Sequence, residues 1–233
     1  MSNFIISPIL ITGAARSGTS MTAGIISLSG AFGGQLSQAT IYNKKGMFEN
    51  SVIRDYIVKN YLKNNGWDTM AQDPLPNITT VQEQAKVTGE RFRVQILKAI
   101  KDQGCRFDRP WFYKGAKMCL IWPVWAEAFP DAKWVVVRRN AEDIVRSCLR
   151  TGFMRAYKHR SGWLGWVAEH EKRFEEMHDA KLGCREVWPQ RMINGDFTEM
   201  QSVINWLGLS WDLDKAREFI EPKLWARGNG DGK

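Results

Sequence analysis

Apolar and polar positions along this chain follow two rhythms. Short unbroken apolar runs at Ile9–Leu10–Ile11 and at Trp134–Val137 are bounded by turn residues and are too short for helices, so they read as strands covered on both faces. Other stretches place apolar residues three and four apart. Ile53, Tyr56, Ile57 and Tyr61 predict one apolar face of a helix opening near Ser51. Val81, Ala85, Phe92, Ile96 and Ile100 predict a long helix capped by Thr79 or Thr80 and ended by Gly104. A strand is expected near 111–114, then a helix opened by Pro123. After the Trp134 strand, Asn140 caps a helix with Ile144, Cys148 and Leu149 buried and Gly152 closing it. A further helix buries Trp163, Val167, Phe174 and Met177, Arg191–Asn194 reads as another strand, and Met200, Val203, Ile204 and Leu207 mark a late helix. Strands alternating with helices imply a three-layer α/β/α fold with a mainly parallel central sheet. No repeat, linker or low-complexity tract divides the chain, which reads as one domain over residues 1–233, with a flexible tail over 226–233.

Two strand-to-helix junctions carry the chemistry. After Ile9–Thr12 comes Gly13-Ala14-Ala15-Arg16-Ser17-Gly18-Thr19-Ser20, and helical residues resume near Thr19. Unpaired backbone N–H groups and the positive helix end converge there, which suits an anion. The segment matches the phosphate-loop pattern G-x-x-x-x-G-K-[ST] at both glycines and at the final hydroxyl, and places the fold in the phosphate-loop nucleotide-binding type. Thr19 stands where nucleoside triphosphate enzymes carry Lys, and the cation sits at Arg16 instead, able to bridge two oxygens of a phosphate or sulfate. At the second junction, Arg139 ends the Trp134 strand and Ser147 lies two turns into the next helix. An Asp that holds magnesium is usual at such a strand end; here Arg138 and Arg139 occupy it, with Arg138 facing the other way.

These residues resemble the sulfotransferase family, which uses 3'-phosphoadenosine 5'-phosphosulfate (PAPS) as donor. Arg16-Ser17-Gly18-Thr19-Ser20 resembles the family's 5'-phosphosulfate loop, with Arg in place of the commoner Lys, and Arg139-Asn140-Ala141 with Ser147 resembles its 3'-phosphate segment. The resemblance therefore implies that Ala15, Arg16, Ser17, Gly18, Thr19, Ser20, Arg139 and Ser147 bind PAPS and its product, adenosine 3',5'-bisphosphate (PAP). Trp111–Trp125 resembles the bacterial-type Lys-Asp-Pro-Arg segment, with Lys114 and Lys117 keeping the cations; Ala116 stands where the cytosolic animal branch has its catalytic His. Lys45-Gly-Met-Phe-Glu-Asn50 resembles an element that supplies a Glu base in another branch, which implies Glu49 as base, with Arg16 and Lys114 holding charge on the leaving phosphate. Glu49 also reads as a solvent-facing acid beside an Asn50 or Ser51 cap, and Lys114 and Lys117 as strand-end surface lysines. A base works best with a raised pKa, which partial burial beside Phe48 supplies and neighbouring cations oppose. The family's adenine-stacking Trp is Met21 here, and Arg227–Lys233 is a shorter counterpart of its late 3'-phosphate loop or a frayed end.

Composition adjusts this reading little. Thirty-three Lys and Arg against 25 Asp and Glu give +8, but the cations are scattered and no nucleic-acid-binding pattern is visible, so anionic small molecules are the expected partners and nucleic acid is not. Cys105, Cys119, Cys148 and Cys184 lack C-x-x-C spacing and read as reduced thiols. The first apolar run passes directly into the phosphate loop and reads as a strand rather than a signal peptide, and no window is long enough to span a membrane, so a cytoplasmic enzyme is expected. His159, His170 and His178 are not spaced for a metal, which the expected chemistry does not need; all read as structural or exposed, with His159 a secondary base candidate in a mobile substrate loop. The expected reaction is sulfuryl transfer from PAPS to a hydroxyl or amine of a small-molecule or saccharide acceptor shaped by loops near 33–48, 66–78 and 152–162. The alternatives are a phosphate-loop small-molecule kinase and a catalytically inactive nucleotide-binding protein.

Overall fold

Four short parallel strands form the centre of the fold in the order β2-β1-β3-β4. They are β1 (Ile9–Thr12), β2 (Phe112–Lys114), β3 (Lys133–Val137) and β4 (Cys184–Val187). The computed structural model describes residues 7–41 and 43–225, so the 226–233 tail and its Arg227–Lys233 counterpart lie outside the described residues. Between β1 and β2 come α1 (Thr19–Leu28), a π-helical turn (Ile53–Val58) running into α2 (Lys59–Asn64), and α3 (Ile78–Asp102). A 3₁₀ turn (Met118–Ile121) and α4 (Trp122–Ala128) lead to β3, and α5 (Ala141–Leu149) and α6 (Arg160–Asp179) lead to β4. The chain continues through α7 (Pro189–Ile193), α8 (Thr198–Leu207), α9 (Leu213–Phe219) and α10 (Pro222–Trp225).

Alternation along the strands builds the three layers. Leu10, Tyr113, Trp134 and Val136 pack with α3, α4 and the Phe174 side of α6 on one face. Ile9, Ile11, Phe112, Val135 and Val137 pack with α1, α8 and α9 on the other. A third cluster joins Ala14 of the β1–α1 loop to Ile144, Cys148, Trp163 and Val167, fastening α5 and α6 beside that loop. From β1 the chain proceeds outward to β2, and from β3 outward to β4 on the opposite side. The reversal falls between β1 and β3, whose register pairs Thr12 with Val136. Ligands of such sheets bind in the crevice beyond the strand ends at that switch point.

Several local expectations change. Arg191–Asn194 is not a strand: Pro189 opens α7, and the strand lies earlier at Cys184–Val187, an edge strand whose Arg185 and Glu186 dilute its apolar signal. Asn77, not Thr79 or Thr80, caps α3, its side chain accepting from the Thr80 backbone N–H. The wider π-helical turn rotates Tyr56 to 71% exposure while Ile53, Ile57 and Tyr61 stay buried. Leu149 is 46% exposed because α5 ends there, three residues before Gly152.

Candidate functional site

The β1–α1 loop is held by close backbone approach and by bonds to distant segments. A Cβ at Gly13 would lie 2.4 Å from the Val137 carbonyl oxygen, so only glycine lets the loop leave β1 against the end of β3. Gly18 precedes α1 at φ 101° without a side-chain cap, leaving the first helix N–H groups directed at the loop. Arg16 itself adopts φ 73°, strain that its surroundings sustain: its Nε donates to Ser147 Oγ at 2.9 Å and its carbonyl accepts from Arg139 Nη1 at 2.8 Å. The Ser17 hydroxyl is buried with no partner, and Arg139 Nε is likewise buried and unpartnered. Unpaired buried polar atoms are costly, and here both lie at the loop where the sequence leads one to expect an anion. Gly13→Ala is therefore expected to cost roughly 3 kcal/mol by overpacking against backbone, read as a marked fall in Tm; an unchanged Tm would contradict the close approach.

Arg138 and Arg139 do diverge at the end of β3. Arg138 pairs with Glu171 and with Glu186 and lies over the Phe174 ring, so it braces α6 against β4. Arg139 turns to the loop and stacks over Trp225, 4.0 Å from the ring centre, while Trp225 Nε1 donates to Gln190 Oε1 at 2.6 Å. Asn140 caps α5 by accepting from Glu142 N–H, which presents Ser147 toward Arg16. Burial holds both Arg16 and Arg139 somewhat below the ordinary guanidinium pKa, an electrostatic cost that a bound anion would relieve.

Glu49 is positioned from a separate direction. Phe48 at φ 51° turns the chain just before it, and the Glu49 carbonyl accepts from the backbone N–H and the hydroxyl of Ser37. Asn50 does serve as the cap, accepting from Ile53 N–H, yet Glu49 does not face solvent: it is 4% exposed. Its carboxylate lies 3.6 Å from Lys114 Nζ and 3.5 Å from Arg54 Nη1. Lys114 is also 4% exposed, carried at the end of β2 opposite Ile11, and Thr12 Oγ1 fixes the following Gly115 by donating to its carbonyl at 3.1 Å. Both lysine and acid are thus interior groups rather than surface ones.

Of the two opposing influences expected on the Glu49 pKa, the cations win. Burial pushes it up, but Lys114, Lys117 and Arg54 together outweigh burial and hold it below its ordinary 4.5. Because the folded-state pKa is depressed, the ionised form stabilises the fold above the unfolded value, and this contribution is lost as pH falls through the folded one. An activity that requires ionised Glu49 should stay flat down through the ordinary carboxylate range. A pH–rate profile checks this, and an acid limb near neutrality would assign the limiting proton to another group. Lys117, also at the site, is held below its ordinary value first by burial and then by the neighbouring cations, with Glu49 opposing.

Two cavities meet on the loop. The first, about 360 Å³, is lined by Arg16, Thr19, Ser20, Arg139 and Ser147, with Met21, Phe48, Phe219 and Trp225 as apolar walls. The second, about 420 Å³, contains Ala15, Glu49, Arg54, Lys114, Lys117 and His170, and shares Arg16, Thr19 and Ser20 with the first. Residues of the 33–48, 66–78 and 152–162 loops, such as Met47, Gln72 and Phe153, line the second. All the expected site residues thus come together across these cavities or, for Ser17, in the loop between them. Sequence reasoning missed Trp225, Phe219, Asn43, Arg54 and His170; Asn43 Nδ2 donates to Ser20 Oγ at 2.8 Å, which no local motif announces. His159 precedes α6 and is exposed. Among the described residues no cluster of His, Cys, Asp or Glu is placed to hold a metal, and no helix is long and apolar enough to cross a membrane.

The same arrangement of sheet and helices recurs in solved structures. The sulfotransferase domain of the Synechococcus PCC 7002 olefin synthase is 11% identical, superposes with a TM-score of 0.57, and is matched over 97% of this chain and 88% of that one. Sulfotransferase STF9 from Mycobacterium avium is also 11% identical, with a TM-score of 0.56 over 98% of this chain and 70% of that one. At such identity these likenesses establish the fold. No curated protein matches the sequence. The sulfotransferase family model matches residues 8–213, which take in the phosphate loop, Glu49, Lys114 and the Arg139–Ser147 segment, and the chain belongs to the sulfotransferase family.

Proposed function

We propose that this sulfotransferase uses PAPS as donor and transfers its sulfuryl group to a hydroxyl or amine of a small-molecule acceptor, releasing PAP. The observation that carries the reading is the meeting of the two cavities on Arg16, Thr19 and Ser20, with Glu49 and Lys114 in one and Arg139 with Ser147 in the other. In this reading the first cavity takes the nucleotide: the loop N–H groups, the Ser17 hydroxyl and Arg16 hold the 5'-phosphosulfate, and Arg139 and Ser147 hold the 3'-phosphate. Met21, Phe48, Phe219 and Trp225 offer the adenine an apolar wall in place of the missing Trp after the loop. The second cavity takes the acceptor. Four free thiols, three of them buried, suit a reducing, cytoplasmic setting.

The donor supplies a sulfuryl group whose bond to the 5'-phosphate oxygen breaks as the acceptor oxygen or nitrogen bonds to sulfur. Glu49 takes the acceptor's proton, Lys114 and Arg16 stabilise the charge that grows on the departing phosphate, and the rigid loop keeps attack in line. A depressed pKa keeps Glu49 ionised before reaction, and the proton it receives is released to solvent as PAP and the sulfated product leave. Thr19 in the loop-lysine position, and arginines where a magnesium-holding Asp would stand, supply nothing for a triphosphate kinase. The test is incubation of the purified protein with PAPS and a panel of phenols and amines, scoring sulfated product and PAP by mass spectrometry. Product and PAP in equal amounts are expected; magnesium-dependent ATP consumption with no product from PAPS would overturn the reading.

A further inference from the structure

His170 is a buried polar feature of the second cavity that the proposed chemistry leaves unused. It sits on α6, is 1% exposed, and lines the cavity. Its Nδ1 lies 2.8 Å from the Trp166 carbonyl oxygen. A carbonyl only accepts, so Nδ1 carries the proton, and in a neutral imidazole Nε2 is then a free acceptor. Burial lowers the ring's pKa to about 4, opposed by the Trp166 bond and assisted by Arg173, so the ring is neutral across the physiological range.

Around it the cavity wall is soft and apolar: Ile41, Met47, Met70, Phe153, Met154 and Trp166. Several other polar groups are engaged. Gln72 Nε2 donates to the Phe153 carbonyl, and Gln72 Oε1 accepts from the backbone N–H groups of Arg155 and Ala156. Lys59 pairs with Asp55, as does Arg54. Trp166 Nε1 donates to the Ala71 carbonyl. A saccharide, with hydroxyls on every edge, would leave several of them unpaired against this wall.

We propose that the cavity takes a predominantly apolar phenol, alcohol or amine, and that His170 Nε2 accepts a hydrogen bond from a second donor group on that acceptor. This rests on the reading of the cavity as the acceptor site of a PAPS-dependent enzyme. It makes His170 a specificity residue, while Glu49 deals with the group that is sulfated.

The test compares, with PAPS as donor, a dihydroxynaphthalene, its monomethyl ether, and glucosamine. Wild-type protein should turn over both naphthols with similar kcat, with KM about fivefold lower for the dihydroxy compound, the size of one neutral hydrogen bond. Glucosamine should give no product. His170→Asn places an amide N–H where Nδ1 was, keeping the Trp166 bond, and removes the Nε2 acceptor; it should retain Tm and lose the KM difference. Should that variant unfold, His170→Gln, which can place an amide oxygen near the Nε2 position, should fold and keep the difference. Equal KM values in the wild type, a difference that survives in His170→Asn, or preference for glucosamine would overturn the proposal. If PAP raises Tm but no naphthol reacts, the apolar acceptor class fails alone; if PAP leaves Tm unchanged, the underlying donor reading has failed instead.

Discussion

Glu49→Gln is expected to lower kcat by roughly 10²–10⁴-fold, the range for loss of a positioned general base, while PAP affinity stays within a few-fold of wild type. The substitution keeps the volume and one acceptor oxygen at a buried position, so the walls of the second cavity persist. What disappears is the negative charge that faces Lys114 at 3.6 Å and Arg54 at 3.5 Å. Arg54 retains Asp55, which accepts from its Nη2 at 2.6 Å, so the variant does not strand that cation. Lys114 and Lys117 lose their carboxylate neighbour and become freer to meet an anionic donor, so PAP binding should be preserved or slightly strengthened. Thermal unfolding of the variant separates chemistry from folding. An unchanged kcat would remove Glu49 from the mechanism, and parallel losses of kcat and PAP affinity would make it part of donor binding.

Arg139→Ala should weaken PAP by roughly 10–100-fold, the scale of a lost charge-assisted hydrogen bond, and weaken adenosine 5'-phosphate far less. Arg139 and Ser147 share the first cavity, and the guanidinium stacks on Trp225 while bracing the Arg16 carbonyl. Part of the loss will therefore pass through the loop and be felt by both nucleotides; the excess for PAP is the share that belongs to the 3'-phosphate. Calorimetric titration of both ligands into both proteins gives the comparison. Equal weakening would leave Arg139 as a brace of the loop only.

The candidate anion site of this molecule is legible in its sequence because the residues of each segment are close in the chain. A glycine that must clear the Val137 carbonyl, a helix beginning beside it, and an Arg at a strand end followed eight residues later by a helical Ser all leave marks within short windows. The parallel sheet was equally readable at β1 and β3, whose residues are covered on both faces, and unreadable at β4, an edge strand with half-exposed polar positions. The state of Glu49 was not legible. Its pKa depends on Lys114 and Lys117 after β2 and on Arg54 in the π-helical turn, groups brought together only by folding, and their summed attraction exceeds the burial penalty. His170 was hidden for a related reason: an isolated helical histidine acquires meaning only when Trp166 fixes its tautomer and the Phe153–Met154 loop closes an apolar wall around it. Trp225 reaches Arg139 from the far end of the described chain, and no spacing rule connects them.

The most direct measurement is a thermal-shift titration of the purified protein with PAP, with adenosine 5'-phosphate, and with ATP plus magnesium, since a ligand that binds only the folded state raises Tm by an amount that grows with its concentration relative to Kd. Selective stabilisation by PAP, undiminished by a metal chelator and reduced in Arg139→Ala, is the expected result. A response confined to ATP with magnesium, or equal responses to PAP and adenosine 5'-phosphate, would contradict the assignment of the first cavity as a PAPS site.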